Sequence, residues 1–277
     1  MHVAAGTAAP VDPDGALAAL FEPFLDQPRR SALVTDFDGT LAPIVADPAA
    51  ARPLVGAAEV LARLARQLGL VAVVSGRPVA TLAEHLGQVP GLEMVGLYGL
   101  ERRTPDGAVA VVEGAEEWRS VVGQLARRVT AQAPVGVGVE PKGLTLTLHW
   151  RQAPAESAWV RRTAEEAADA TGLVVHPGRM TVELRPPMGV DKGTAVTEIV
   201  GTLVGAAYLG DDLGDLPAFT ALDALARTGT CSTINVAVAD PESPDELLAA
   251  ADVVTDGPPG ALRLLEWLVQ ALPTGTG

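Results

Sequence analysis

At 277 residues the chain is long enough for one large domain or two modest ones, and a composition 48% hydrophobic but 4% aromatic implies a core of Ala, Val and Leu. The formal net charge of −14 argues against a nucleic-acid binder, which would carry a basic face, and means that an anionic ligand must be drawn in by local cations. The single cysteine, Cys231, excludes an intramolecular disulfide and a Cys-rich metal site.

The first fifteen residues lack both a basic n-region and an apolar h-region, so no secretory leader is expected. No apolar run reaches membrane-spanning length, and the chain reads as cytoplasmic. Residues 16–30 read as a lead-in helix interrupted at Pro23. Ala32-Leu33-Val34 then reads as a buried strand, ending in Asp36-Phe37-Asp38-Gly39-Thr40-Leu41. Leu54 to Leu68 carries Val60, Leu61, Leu64 and Leu68 at helical spacing until Gly69 stops it. Leu70 to Val74 is a second apolar strand, followed by Ser75-Gly76-Arg77-Pro78, a helix over 79–86 and a strand over 92–98. Strand and helix in alternation predict a parallel sheet covered on both faces.

From about Arg103 the grammar changes. A helix over 115–131 leads to Gly143-Leu-Thr-Leu-Thr-Leu-His-Trp150, which alternates strictly. Leu144, Leu146, Leu148 and Trp150 share one face; Thr145, Thr147, His149 and Arg151 share the other, as in a half-exposed strand. A charged helix from Pro154 to about Ala170 and strands over 173–176 and 180–185 complete a small α+β domain, inserted over about 104–187. The parallel grammar then resumes. Lys192 opens a helix, Ala206 to Leu209 is a strand ending in Gly210-Asp211-Asp212, short strands follow at 235–238 and 252–254, and a helix spans 262–272. The fold class expected is α/β: a doubly wound, Rossmann-like parallel-sheet core (1–103 and 188–277) with an inserted α+β domain.

Four strand or helix ends carry chemistry. Asp36 and Asp38 are costly to place together at a strand end unless a cation compensates, which suits a divalent metal and leaves one carboxylate as a nucleophile. Ser75-Gly76 offers a hydroxyl and backbone N–H groups at a tight turn, a cradle for phosphate. Lys192 precedes a helix whose N-terminus faces the same anion. Asp211, Asp212 and Asp215 place three carboxylates after a strand, as either a solvated turn or a metal site. Only two of the 20 basic residues are lysine, Lys142 and Lys192, and both fall in these motifs or in the inserted domain.

In this order, Asp-x-Asp-Gly-Thr, Ser-Gly-Arg, Lys and Gly-Asp-Asp resemble the four-motif signature of the haloacid dehalogenase-like phosphatases, from about residue 31 onward. The resemblance implies that Asp36 becomes an aspartyl phosphate and that Asp38 is the general acid and base. It also implies that Lys192 and Ser75 bind phosphoryl oxygens. Mg²⁺ would be held by Asp36, the Asp38 carbonyl and Asp211, with Asp212 and Asp215 as outer or alternate ligands. The inserted domain narrows this further. Glu140-Pro-Lys142, His149-Trp-Arg151, Arg179 to Pro187, the opening Asp36 to Ile44 and Gly99-Leu100-Glu101 are similar to the trehalose-6-phosphate phosphatase family.

By that resemblance Glu140, Lys142, His149, Arg151, Arg179 and Glu183 would read the sugar, and a trehalose-phosphate synthase would be the pathway partner. Gly214 and Leu216 depart from the Thr-Asp-Glu usual around Asp215. Sucrose 6-phosphate or a glycosyl-glycerate phosphate would use the same core chemistry. A receiver-like module would not need Asp38, and no Gly-x-Gly-x-x-Gly follows the first strand to bind a dinucleotide.

Overall fold

The chain enters through two short helices, α1 (Ala16–Leu20) and α2 (Glu22–Asp26), in the computed structural model, which describes residues 15–45 and 50–273. The break falls at Phe21, not at Pro23. Pro23 sits in the first turn of α2, where its missing N–H forfeits no helical bond. The expectation about a leader falls mainly on residues 1–14, outside the described residues. No helix among the described residues is long and apolar enough to cross a membrane.

Strand β1 (Ser31–Thr35) leads to α3 (Ala57–Gln67), β2 (Leu70–Val74), α4 (Val79–Leu86) and β3 (Leu92–Gly96). Two short strands the periodicity does not signal, β4 (Glu101–Arg103) and β5 (Val109–Val111), follow. The inserted segment runs α5 (Trp118–Thr130), β6 (Gly138–Pro141), β7 (Leu146–His149), α6 (Ser157–Thr171), β8 (Val174–Gly178) and β9 (Thr181–Arg185). The chain closes with α7 (Lys192–Val200), β10 (Gly205–Gly210), α8 (Leu216–Arg227), β11 (Ser232–Ala239), α9 (Asp245–Ala249), β12 (Val253–Asp256) and α10 (Gly257–Ala271).

The structure divides into two compact units. One holds Met1–Ser75, Val79–Val109 and Val190–Gly277; the other holds Gly76–Pro78 and Ala110–Gly189.

In the first unit the sheet has the order β12-β11-β10-β1-β2-β3-β4, parallel from β12 to β3 and antiparallel at β3–β4. The period of two sorts each strand's residues onto two apolar layers. Leu33, Ala207, Leu209 and Val236 face α3, α4 and α10; Ala32, Val34, Ala206 and Tyr208 face α7 and α8. That is why these strands are apolar throughout, and the doubly wound α/β class read from the sequence is the class observed. The chain winds outward from β1 in both directions, so the β1/β10 boundary is the switch point. There the connections diverge and leave a crevice at the carboxyl ends of the strands.

In the second unit a four-stranded antiparallel sheet, β6-β7-β9-β8, packs one face on α5 and α6 through Val122, Leu125, Leu146, Leu148, Val160, Val182 and Leu184. The other face is polar. Strand β7 is shorter than the alternation suggests. After His149 the Trp150 N–H bonds the Met180 carbonyl and the Ala153 N–H bonds the Trp150 carbonyl, which turns the chain away.

Candidate active site

Asp36 follows β1 and Asp211 follows β10, so the switch point brings together the two carboxylates flanking it. The Asp36 N–H donates to the Leu209 carbonyl at 2.8 Å, which ties the two strand ends together. Oxygens of Asp36, Asp211 and Asp215 lie within 4.8 Å of one another. Lys192, the first residue of α7 and buried, joins them: its Nζ lies 3.0 Å from Asp36 Oδ1 and 2.6 Å from Asp215 Oδ1. Asp191 caps that helix by accepting the Thr194 N–H, so Lys192 is presented from a fixed first turn.

Burial pushes the Asp36 carboxyl well up from its ordinary range, and the Asp215, Asp212 and Asp38 charges add to this while Lys192 opposes it. Asp211 is pushed up to about 10, first by burial and then by Asp36, Asp215 and Asp212. Lys192 moves up, since attraction to Asp215 and Asp36 outweighs the burial that would lower it. Were all three carboxylates ionised, they would leave two negative charges against the one ammonium, which one divalent cation would balance. The donors are all hard oxygen, so the residues fit Mg²⁺.

Asp215 has a separate task. Its Oδ1 accepts from Lys192 Nζ and from Tyr208 Oη at 2.6 Å; its Oδ2 accepts from the Asp211 and Asp212 N–H groups at 2.9 and 3.2 Å. With these lone pairs engaged, Asp215 organises the loop, and Asp36 and Asp211 are better placed as direct ligands. Asp212 is exposed, and its side chain accepts the Gly214 N–H at the next turn. No role for Tyr208 was expected. A tyrosine in an otherwise apolar strand needs a partner for its hydroxyl, which was the available signal.

Asp38 is half-buried in the turn after Asp36, and the Gly39 N–H donates to the Ala42 carbonyl at 2.7 Å. Thr40 Oγ1 donates to Asp211 Oδ1 at 3.2 Å. Gly39 has φ 78°, and a Cβ there would lie 1.9 Å from Asp211 Oδ2. Gly39→Ala is therefore expected to displace Asp211 and to cost about 1–3 kcal/mol of stability. Calorimetric Mg²⁺ titration beside a thermal melt checks this; unchanged affinity and melting temperature would contradict it. Ser75 is buried at the end of β2, on the same sheet edge as Asp36, and Gly76 is half-buried in the turn beyond.

On the polar face of the second unit, strand register lines up Glu140, Thr147, Glu183 and His176 across β6, β7, β9 and β8. Glu183 is buried and accepts from Thr145 Oγ1 at 2.8 Å and from Arg185 Nε and Nη2 at 3.2 and 3.0 Å. Lys142 Nζ lies 3.7 Å from it. His149 Nε2 and Glu140 Oε2 are 2.7 Å apart. The half-exposed face expected of Thr145 and Thr147 is wrong, for both are buried; Thr147 Oγ1 has no hydrogen-bond partner among the described residues. Arg151 is exposed in the turn beyond β7 and does not share its face with His149, because the strand ends first. Arg179 is exposed in the β8–β9 turn. Neither His176 nor Arg185 was among the residues expected to read the sugar. The β8–β9 register that places His176 opposite Glu183 is non-local, whereas Arg185 stands two residues from Glu183 on β9 itself.

Burial would raise Glu183, but Lys142, Arg185 and Thr145 outweigh it and hold the carboxyl below its ordinary range. Glu140 is lowered likewise, its burial outweighed by His149 and Lys142. A depressed folded-state pKa contributes stability that is complete above the ordinary carboxylate range. That contribution is lost as pH falls through the lowered value. The stability gap between wild type and Glu183→Gln is accordingly expected to be widest near neutral pH and to shrink in acid. Urea unfolding across that range measures it; a gap independent of pH would contradict the assignment.

A family model described as Trehalose-phosphatase matches residues 34–248. The trehalose-phosphate phosphatase of Mycobacterium avium is 35% identical over 259 residues, covering 90% of this chain and 64% of that protein. The Mycobacterium leprae enzyme of the same name is 36% identical over 208 residues, covering 70% of this chain and 48% of that one. The chain thus spans less than two thirds of the length of these relatives. Among solved structures, the C-terminal domain of C. albicans trehalose-6-phosphate phosphatase superposes with a TM-score of 0.75 at 23% identity, over 93% of this chain and 97% of that one, a likeness of fold.

Proposed function

The chain belongs to the trehalose-phosphatase family, and on that footing we propose that it hydrolyses trehalose 6-phosphate to trehalose and phosphate through Asp36. The observation that carries the reading is the meeting of Asp36, Asp211, Asp215 and Lys192 at the switch point. An Asp36 carboxylate oxygen attacks phosphorus, the bond to the sugar 6-oxygen breaks, and Asp38 gives that oxygen its proton. Asp38 then takes a proton from water as the water attacks phosphorus; the acyl-phosphate bond breaks and phosphate leaves. Lys192 and Ser75, with the Gly76 turn, hold the equatorial oxygens, where transition-state charge is spread. Mg²⁺, held by Asp36, the Asp38 carbonyl and Asp211, with Asp212 and Asp215 outside, would neutralise the carboxylates when bound.

In this reading residues 104–187 form a substrate-specificity domain. A disaccharide presents many hydroxyls, and Glu140, Lys142, His149, Arg151, Arg179 and Glu183 supply acceptors and donors for them. The protein would act in the cytoplasm, downstream of a trehalose-phosphate synthase. Phosphate release from a panel of trehalose 6-phosphate, sucrose 6-phosphate and a glycosyl-glycerate phosphate, with and without Mg²⁺, tests it. Turnover of trehalose 6-phosphate above the others, abolished by chelation, is expected; preference for another sugar would overturn the substrate assignment.

A further inference from the structure

The strand expected over 92–98 ends at Gly96, and the next three residues leave extended geometry altogether. Leu97, Tyr98 and Gly99 have φ of 51°, 61° and 120°. Two consecutive non-glycine residues in the left-handed region are rarely tolerated, and they persist only where surrounding contacts hold them. Those contacts lead to the two groups assigned to phosphate.

On one side, both backbone polar groups of Ser75 are engaged. Its N–H donates to the Val95 carbonyl at 2.9 Å, and its carbonyl accepts the Tyr98 N–H at 3.0 Å. Four residues on, the Val79 N–H, at the first turn of α4, donates to Glu101 Oε2 at 3.0 Å. The segment therefore holds the phosphate turn where it leaves β2 and where it enters α4. On the other side, Gly99 packs on the start of α7. A Cβ at Gly99 would lie 3.4 Å from Val190 Cβ, 3.7 Å from the Asp191 carbonyl oxygen and 3.8 Å from Ala195 Cβ. Asp191 is the cap of the helix that presents Lys192.

We propose that Leu97–Glu101 is a bracket that sets the separation of Ser75 and Lys192, with Glu101 and Gly99 as positioning residues for phosphoryl transfer. Neither residue touches the reacting atoms. Their effect is transmitted through the Ser75 carbonyl, the α4 N-terminus and the first turn of α7. The left-handed run gives the segment its shape: an extended chain through residue 98 would carry the Tyr98 N–H away from Ser75 and Gly99 away from α7. The inference rests on the phosphatase reading, since the bracket matters only if Ser75 and Lys192 share one phosphoryl group.

The test compares Glu101→Ala, Glu101→Gln, Gly99→Ala and Ser75→Ala in the full chain. It measures kcat and KM for trehalose 6-phosphate, the inhibition constant of inorganic phosphate, and thermal melting. Glu101→Ala is expected to lower kcat roughly ten- to a hundredfold and to weaken phosphate inhibition about tenfold, the scale of a misplaced binding group. Glu101→Gln keeps an oxygen that accepts the Val79 N–H, and it should stay within about twofold of wild type on both measures. Gly99→Ala, strained at its φ, should lose kcat and phosphate affinity in the same direction. A Glu101→Ala protein with a lowered melting temperature but wild-type kcat and phosphate inhibition would overturn the bracket, as would failure of Glu101→Gln to restore both. If Glu101→Ala does not fold, wild-type phosphate inhibition in Gly99→Ala overturns it. Impairment in Ser75→Ala without impairment in the bracket variants refutes the bracket alone; wild-type phosphate affinity in Ser75→Ala refutes the phosphate-binding reading and the bracket with it.

Discussion

Asp36→Asn is expected to leave a folded protein with less than about a hundredth of wild-type turnover, because an amide cannot form the acyl phosphate and covalent catalysis supplies orders of magnitude in rate. Its stability should not fall. Burial and the neighbouring Asp215, Asp212 and Asp38 already push the Asp36 carboxyl upward, so at neutral pH its ionised form is held at a cost. Lys192, which loses one partner, keeps Asp215 at 2.6 Å. The measurement is phosphate release beside a thermal melt without added metal. Activity above about a hundredth would remove Asp36 as nucleophile; lost activity with a collapsed melting temperature would make it a structural carboxylate.

The second large effect is expected on the polar face of the inserted domain. If the proposed sugar site is right, Glu140→Ala and Lys142→Ala should each cut kcat/KM for trehalose 6-phosphate roughly ten- to a thousandfold, the cost of leaving the sugar's polar partners unpaired. Hydrolysis of a small aryl phosphate, which lacks the sugar, should barely change. Each truncation also strands a neighbour. Glu140 is the hydrogen-bond partner of His149, and Lys142 is one of the cations holding Glu183 ionised. Equal losses on both substrates would assign the residues to holding that sheet together. No loss on either would return them to a solvated sheet face.

The order of motifs was legible in the sequence because the signals are local. Apolar runs bounded by Gly turns mark buried strands, and Asp36, Ser75, Lys192 and Asp211 each stand at an element end that their own neighbours define. Alternation likewise placed Leu146, Leu148 and Trp150 on the face that packs on the α5–α6 layer. What local signals cannot carry is pairing between distant segments. That Asp36 meets Asp211 follows from β1 lying beside β10, and that Glu183 collects Thr145 and Lys142 follows from the pairing of β7 with β9.

The same limit explains the errors. The strand expected over 92–98 and the alternation read through Arg151 both overran the observed strands, because the Tyr98 N–H turns to the Ser75 carbonyl and the Ala153 N–H turns back to the Trp150 carbonyl. The sequence by itself determined the α/β class, the order of the chemical motifs and the residue types at each strand end, since side-chain period and turn chemistry act over a few residues. Only the tertiary structure decided that Asp215 spends its oxygens on Lys192, Tyr208 and two backbone N–H groups. Partner choice among buried charges depends on which strands and helices pack together, and a chain settles that only by folding.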